Sequence, residues 1–181
     1  MPTCIAFFGG INLGGRNKLP MKELVELLDE LGFHGARTVL QSGNVAFRCS
    51  RPQRPEIGRR IVAAIQRQYG FEPAILVLRI QELEHAVAAN PFMDARRDAA
   101  NLHLWFLADT PTDPDLERIE RLKGPASARW RLDRKVFYLH APDGLESSRL
   151  PDELEDCLGV TAIQRNWQVA TKTLELGWDL A

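Results

Sequence analysis

Residues 3–8, TCIAFF, form an apolar run rich in β-branched and aromatic side chains, closed by Gly9 and Gly10, which predicts a first strand. From Met21 the period changes. Leu24, Val25, Leu27, Leu28 and Leu31 recur at helical spacing, Pro20 is tolerated in the first turn, and Gly32 stops the helix. ARTVLQ (36–41) is extended, SGN (42–44) is a turn signal, and VAFRC (45–49) resumes the extended pattern, so the three predict a hairpin. RPQRP (51–55) is a proline-marked loop that cannot continue a strand. Beyond it, Ile57, Ile61, Ile65 and Tyr69 predict a second helix, and PAILVLRI (73–80) a buried strand. The order β-α-β-β-α-β is that of ferredoxin-like units, in which two helices cover one face of an antiparallel sheet.

The second half repeats this order loosely. QELEHAVAAN (81–90) reads as a connecting helix stopped at Asn90-Pro91, because a residue before proline is pushed out of the helical region. NLHLWFL (101–107) predicts a strand and PDLERIERLKG (114–124) a short helix. ARWRL and KVFYLHAP predict a hairpin turned at Asp133-Arg134. PDELEDCLG (151–159) and NWQVATKTLELGWDL (166–180) then read as two helices with no final strand. The expected class is α+β: two ferredoxin-like halves with antiparallel sheets, residues 1–80 and 81–181, the second followed by C-terminal helices.

Composition narrows the function. No apolar run approaches the roughly 20 residues of a spanning helix, and the N-terminus lacks a signal peptide's basic region and cleavage site, so a cytoplasmic protein with no membrane partner is expected. The net charge is −1, but residues 1–80 carry 11 Lys+Arg against 6 Asp+Glu, and residues 81–181 carry 12 against 18. The first half could therefore present a basic face, although a pI near 6.4 argues against duplex-DNA binding. Cys4, Cys49 and Cys157 are scattered and form no C-x-x-C pair, which argues against a disulfide framework or a thiolate zinc site. The four histidines show no metal-ligand spacing, and His103 and His140 lie within strand-like runs, where a satisfied sheet histidine is the expected role. Neither a metal nor a cofactor is expected.

The loop FFGGINLGGRNKLP (7–20) is longer than a strand-to-helix connection needs. Gly14 and Gly15 permit close backbone approach, Arg16 and Lys18 add charge, and Asn12 and Asn17 suit either ligand contact or local Asx bonds. The spacing fits neither nucleotide fingerprint, G-x-G-x-x-G or G-x-x-x-x-G-K-[ST]. Ser42 and Asn44 flank a glycine that suits a tight hairpin. In QRNWQVATK (164–172), Asn166 suits a helix cap and Trp167 a packing anchor, while Arg165 offers a planar fork for a carboxylate or phosphate. No nucleophile, base and orienting group can be read out as a set.

Six segments in this order resemble the DUF1697 family of uncharacterised bacterial proteins: GINLGGRNKLPMKELVELLDELGF, TVLQSGNVAF, NPF, LHLWFL, YLHAPDGLESSRL and RNWQVATKTLEL. The resemblance implies an α+β protein with two ferredoxin-like parts and brings no reaction with it. Gly9 stands where the family commonly has arginine, and Val169 where it commonly has threonine. The expected function is binding of an anionic ligand, a nucleotide or single-stranded RNA, by Asn12, Gly14, Gly15, Arg16, Asn17, Lys18, Ser42, Asn44, Arg165, Asn166 and Trp167. The alternatives are an enzyme acting on a small phosphorylated or acidic metabolite, and a structural module that dimerises through an uncovered sheet face. The protein is expected to be a monomer or a homodimer.

Overall fold

The computed structural model describes residues 1–49 and 54–181, so most of the proline-marked loop, 51–53, lies outside the described residues. The chain divides into two units, residues 1–87 with 171–181, and residues 88–170. Residues 81–87 and 171–181, assigned to the second half by the sequence division, count with the first unit.

In the first unit, β1 (Thr3–Gly9), α1 (Met21–Glu30), β2 (His34–Val39), β3 (Asn44–Arg48), α2 (Arg54–Tyr69) and β4 (Ala74–Arg79) follow the expected order, and α3 (Ile80–Ala88) comes next. The strands form one antiparallel sheet in the order β2-β3-β1-β4. β1 is apolar at consecutive positions because it is central and buried on both faces. Its Cys4, Ala6 and Phe8 join Val45 and Phe47 in packing against Leu24, Leu27 and Leu28 of α1 and Ile57, Ile61 and Ile65 of α2. On the face away from α1 and α2, Ile5, Phe7 and Ala46 are also buried.

Part of that cover comes from the last helix, α6 (Trp167–Leu180), through Gly177. A side chain there would meet Ile80 Cδ1 at 2.9 Å and Ile5 Cδ1 at 3.1 Å, so glycine is what allows the close approach. Arg48 holds the helix end by donating from Nε and Nη2 to the Leu180 carbonyl, at 2.9 and 2.6 Å. β4, expected as a buried strand, is instead an edge strand whose inner residues are half-buried, because only one of its sides pairs.

The second unit contains β5 (Leu102–Leu107), α4 (Leu116–Leu122), β6 (Arg129–Asp133), β7 (Val136–His140), α5 (Leu150–Leu158) and β8 (Ala162–Asn166). Its sheet order, β6-β7-β5-β8, is the counterpart of the first. The missing final strand is thus present: β8 pairs antiparallel with β5, from His103↔Asn166 to Leu107↔Ala162. Ala-Ile-Gln-Arg-Asn is too short and polar to announce a strand, but as an edge it buries only Ile163 fully and draws its order from the β5 ladder. α5 is therefore the second covering helix of a complete ferredoxin-like half. Its Leu150, Leu154 and Leu158 pack with Ile119 of α4 over Trp105, Phe137 and Leu139. A short 3-10 helix, Met93–Asp98, precedes β5.

Candidate functional site

The glycine-rich segment after β1 is a miniature hairpin. Asn12 N–H donates to Asn17 O at 3.1 Å and Arg16 N–H to Leu13 O at 2.9 Å, around a tip made by Gly14 and Gly15. Both glycines have positive φ, +57° and +74°, which a two-residue turn of this hand requires. Side chains then fasten the hairpin to its base. Asn12 Nδ2 donates to Leu19 O (2.9 Å) and Gln41 O (3.1 Å), while its Oδ1 accepts from Leu19 N–H (2.8 Å). Asn17 Nδ2 donates to Gly10 O at 2.9 Å. Both asparagines also sit at positive φ, a conformation their short amides tolerate.

The β2–β3 loop stands beside it. Besides the Asn12–Gln41 bond, Phe8 N–H donates to Gly43 O at 2.9 Å. Asn44 is fully buried at the start of β3, and its Nδ2 donates to Val39 O (2.9 Å) and Ser42 Oγ (3.0 Å). Asn12, Gly14, Gly15, Arg16, Asn17, Lys18, Ser42 and Asn44 are therefore gathered at one end of the first sheet. Within this group the asparagines hold backbone, whereas Arg16 and Lys18 are exposed and make no ion pair among the described residues. Leu13 and Leu40 are exposed at the neighbouring loop tips, and Leu40 holds a φ of +60°, unusual for a branched residue.

Arg165, Asn166 and Trp167 lie in the second unit, at the junction of β8 and α6. Asn166 caps the helix, its Oδ1 accepting from Val169 N–H at 2.9 Å. Trp167 is buried. Arg165 shares a sheet face with Leu104 and Tyr138, both buried, and donates from Nη1 to Gln164 O at 2.7 Å. Burial pushes its guanidinium down to about 10. Each of the three has a structural duty.

The family described as "Protein of unknown function (DUF1697)" matches residues 1–138, which include the whole hairpin and its neighbouring loop. The chain belongs to the DUF1697 family. A solved structure of a conserved bacterial protein from Streptococcus pneumoniae is similar over 97% of this chain and 98% of that chain, with a TM-score of 0.73 and 19% sequence identity. At that identity the likeness speaks for the fold alone. No curated protein matches the chain.

At Gly9 and Val169, the two positions where the resemblance implied a departure from the pattern, the backbone carries the observed role. Gly9 ends β1 opposite Ala74, and Val169 gives its N–H to the Asn166 cap. A polar cluster in the second unit escaped sequence reasoning. His140 Nε2 lies 3.0 Å from Asp98 Oδ2, and its Nδ1 lies 3.1 Å from Arg129 Nη2, which also reaches Asp94 Oδ2 at 2.9 Å. Arginine only donates, so neutral His140 accepts at Nδ1 and donates from Nε2. Both ring nitrogens of His140 are engaged by charged neighbours. The His140 bond holds the Asp98 carboxyl below its ordinary range, and Arg129 does the same for Asp94. The two carboxylates come from the 3-10 helix, whose sequence gave no periodic signal, and Arg129 comes from β6. His103 is buried with Nδ1 2.8 Å from Gln164 Nε2, and desolvation pushes it down to about 4. Among the described residues no helix is long and apolar enough to cross a membrane.

Proposed function

We propose that the protein binds a small anionic ligand of nucleotide type in the cytoplasm, using the hairpin at residues 10–18. The observation that carries this reading is the pairing of rigidity with uncompensated charge. Arg16 and Lys18 project from a hairpin already fixed by Asn12 and Asn17, so little ordering entropy is lost when a phosphate arrives. Gly14 and Gly15 face open space, with nothing within 4 Å of where a side chain would stand, so a ligand has room at the backbone. Exposed Leu13 and Leu40 supply apolar surface for a base.

A nucleotide suits the site better than an RNA strand. RNA-binding sheets of this topology stack bases on an open face, and here Ile5, Phe7 and Ala46 on the face away from α1 and α2 are buried. The same burial weighs against dimerisation through that face.

The test is titration of the full chain with a panel of mononucleotides and with oligouridylate. Arg16→Ala and Lys18→Ala should each weaken nucleotide binding by roughly tenfold, as expected for loss of a charge-assisted phosphate contact. Affinity should also fall with added salt. Unchanged affinity in both variants removes the reading; affinity that grows with oligonucleotide length transfers it to single-stranded RNA.

A further inference from the structure

Cys4 and Cys49 are far apart in sequence, separated by 45 positions, yet their sulfur atoms lie 2.9 Å apart in the core of the first unit. The β1–β3 ladder brings them there. Cys4 pairs with Phe47, and Cys49 N–H extends the ladder by donating to Pro2 O at 3.2 Å. Cys49 is therefore two residues beyond the partner of Cys4, which makes the two cysteines diagonal neighbours on one sheet face. Both side chains join the same helix-side core. The gap is less than about 1 Å longer than the roughly 2.05 Å of a disulfide bond, so the two sulfur atoms need only a sub-ångström approach to bond.

We propose that Cys4 and Cys49 form a reversible oxidation site, a dithiol that a peroxide converts to an intramolecular disulfide. One thiolate attacks a peroxide oxygen, the O–O bond breaks, and hydroxide leaves to become water, giving a sulfenic acid. The second thiol, losing its proton, attacks that sulfur, the S–S bond forms, and the S–O bond breaks to release a second water. Two thiols lose two electrons, and one hydrogen peroxide becomes two waters. The adjacent partner favours the disulfide over further oxidation of the sulfenic acid. The closed loop contains α1, β2, β3 and the whole 10–18 and 40–44 region, so the cross-link ties both ends of the segment that carries the candidate binding loops.

Cys157 provides an internal control. It sits in α5 of the other unit, buried like the pair, but among the described residues no second cysteine stands beside it to resolve a sulfenic acid.

The experiment treats the full chain with hydrogen peroxide, counts thiols after denaturation, and maps peptides by mass. The expected result is a fall from three thiols to one, a Cys4–Cys49 peptide lighter by two hydrogens, and full reversal by dithiothreitol. The Tm of the oxidised form should rise by roughly 5–10 °C, a gain absent in Cys49→Ala. Three thiols surviving, a disulfide that includes Cys157 or joins two chains, or a sulfinic acid in place of the cross-link would overturn the proposal. The wild-type peptide map decides even if Cys4→Ala fails to fold.

Discussion

Asn12 spends both polar atoms of its side chain on the backbone of its own loop and the next, and this explains how a segment with so many glycines keeps one shape. Its amide replaces the ladder bonds that a hairpin of this size cannot make for itself. Gly43 and Gly14 then separate two reasons for glycine. At Gly43, φ is +76° and an added Cβ would lie 2.7 Å from both Phe8 Cβ and Ile11 Cδ1. Gly14 has φ +57° and open space around it. Gly43→Ala should thus cost about 2–4 kcal/mol, from strain and overpacking together, and Gly14→Ala only about 1 kcal/mol, from the backbone alone. Urea unfolding of both variants checks this; equal losses would mean that the contacts at Gly43 relax freely. The sequence identified Gly43 as a turn glycine, but the buried wall of Phe8 and Ile11 behind it comes from residues over 30 positions away.

Between β8 and α6 there is no loop, since strand Ala162–Asn166 passes directly into helix Trp167–Leu180. Asn166 makes that possible, because it ends the ladder opposite His103 while its Oδ1 satisfies Val169 N–H in the first turn. Asn166→Ala should destabilise the protein by about 1 kcal/mol, and Asn166→Asp should retain the cap, measured as shifts in the denaturation midpoint. If Ala and Asp behaved alike, the cap would not be what orders this junction. The cap was legible in the sequence, because asparagine before an apolar helical stripe is a local signal. The strand before it was not. An edge strand with three polar positions is stabilised by its neighbour's hydrogen bonds, and a neighbour some 60 positions away leaves no mark on the local pattern.

Two units with the same strand order, β2-β3-β1-β4 and β6-β7-β5-β8, share a chain whose last eleven residues return to the first. The pH dependence of stability is a property of this whole molecule. Asp94, Asp98, Glu120 and Glu153 are held below their ordinary ranges by hydrogen bonds to basic partners, so their contribution is present above pH ~4 and is lost as pH falls below it. His103 acts in a higher window. Its folded-state pKa is pushed down to about 4 from 6.5, so the unfolded chain binds the extra proton first, and stability is lost as pH falls from 6.5 toward 4. Between pH 7 and pH 5 this amounts to about 2 kcal/mol, and His103→Gln should flatten the slope in that interval. Denaturant midpoints at the two pH values test this, and an unchanged slope in the variant would assign the loss to other groups. The sequence by itself determined the order of most elements, the α+β class, the caps and the turn glycines, because each is set by neighbours within a few residues. Only the tertiary structure decided that β8 completes the second sheet, that the C-terminal helix covers Ile5, that His140 meets Asp98 and Arg129, and that Cys4 lies against Cys49. Those four depend on which distant strands pair and which faces are left to bury, and no local pattern of side chains encodes that.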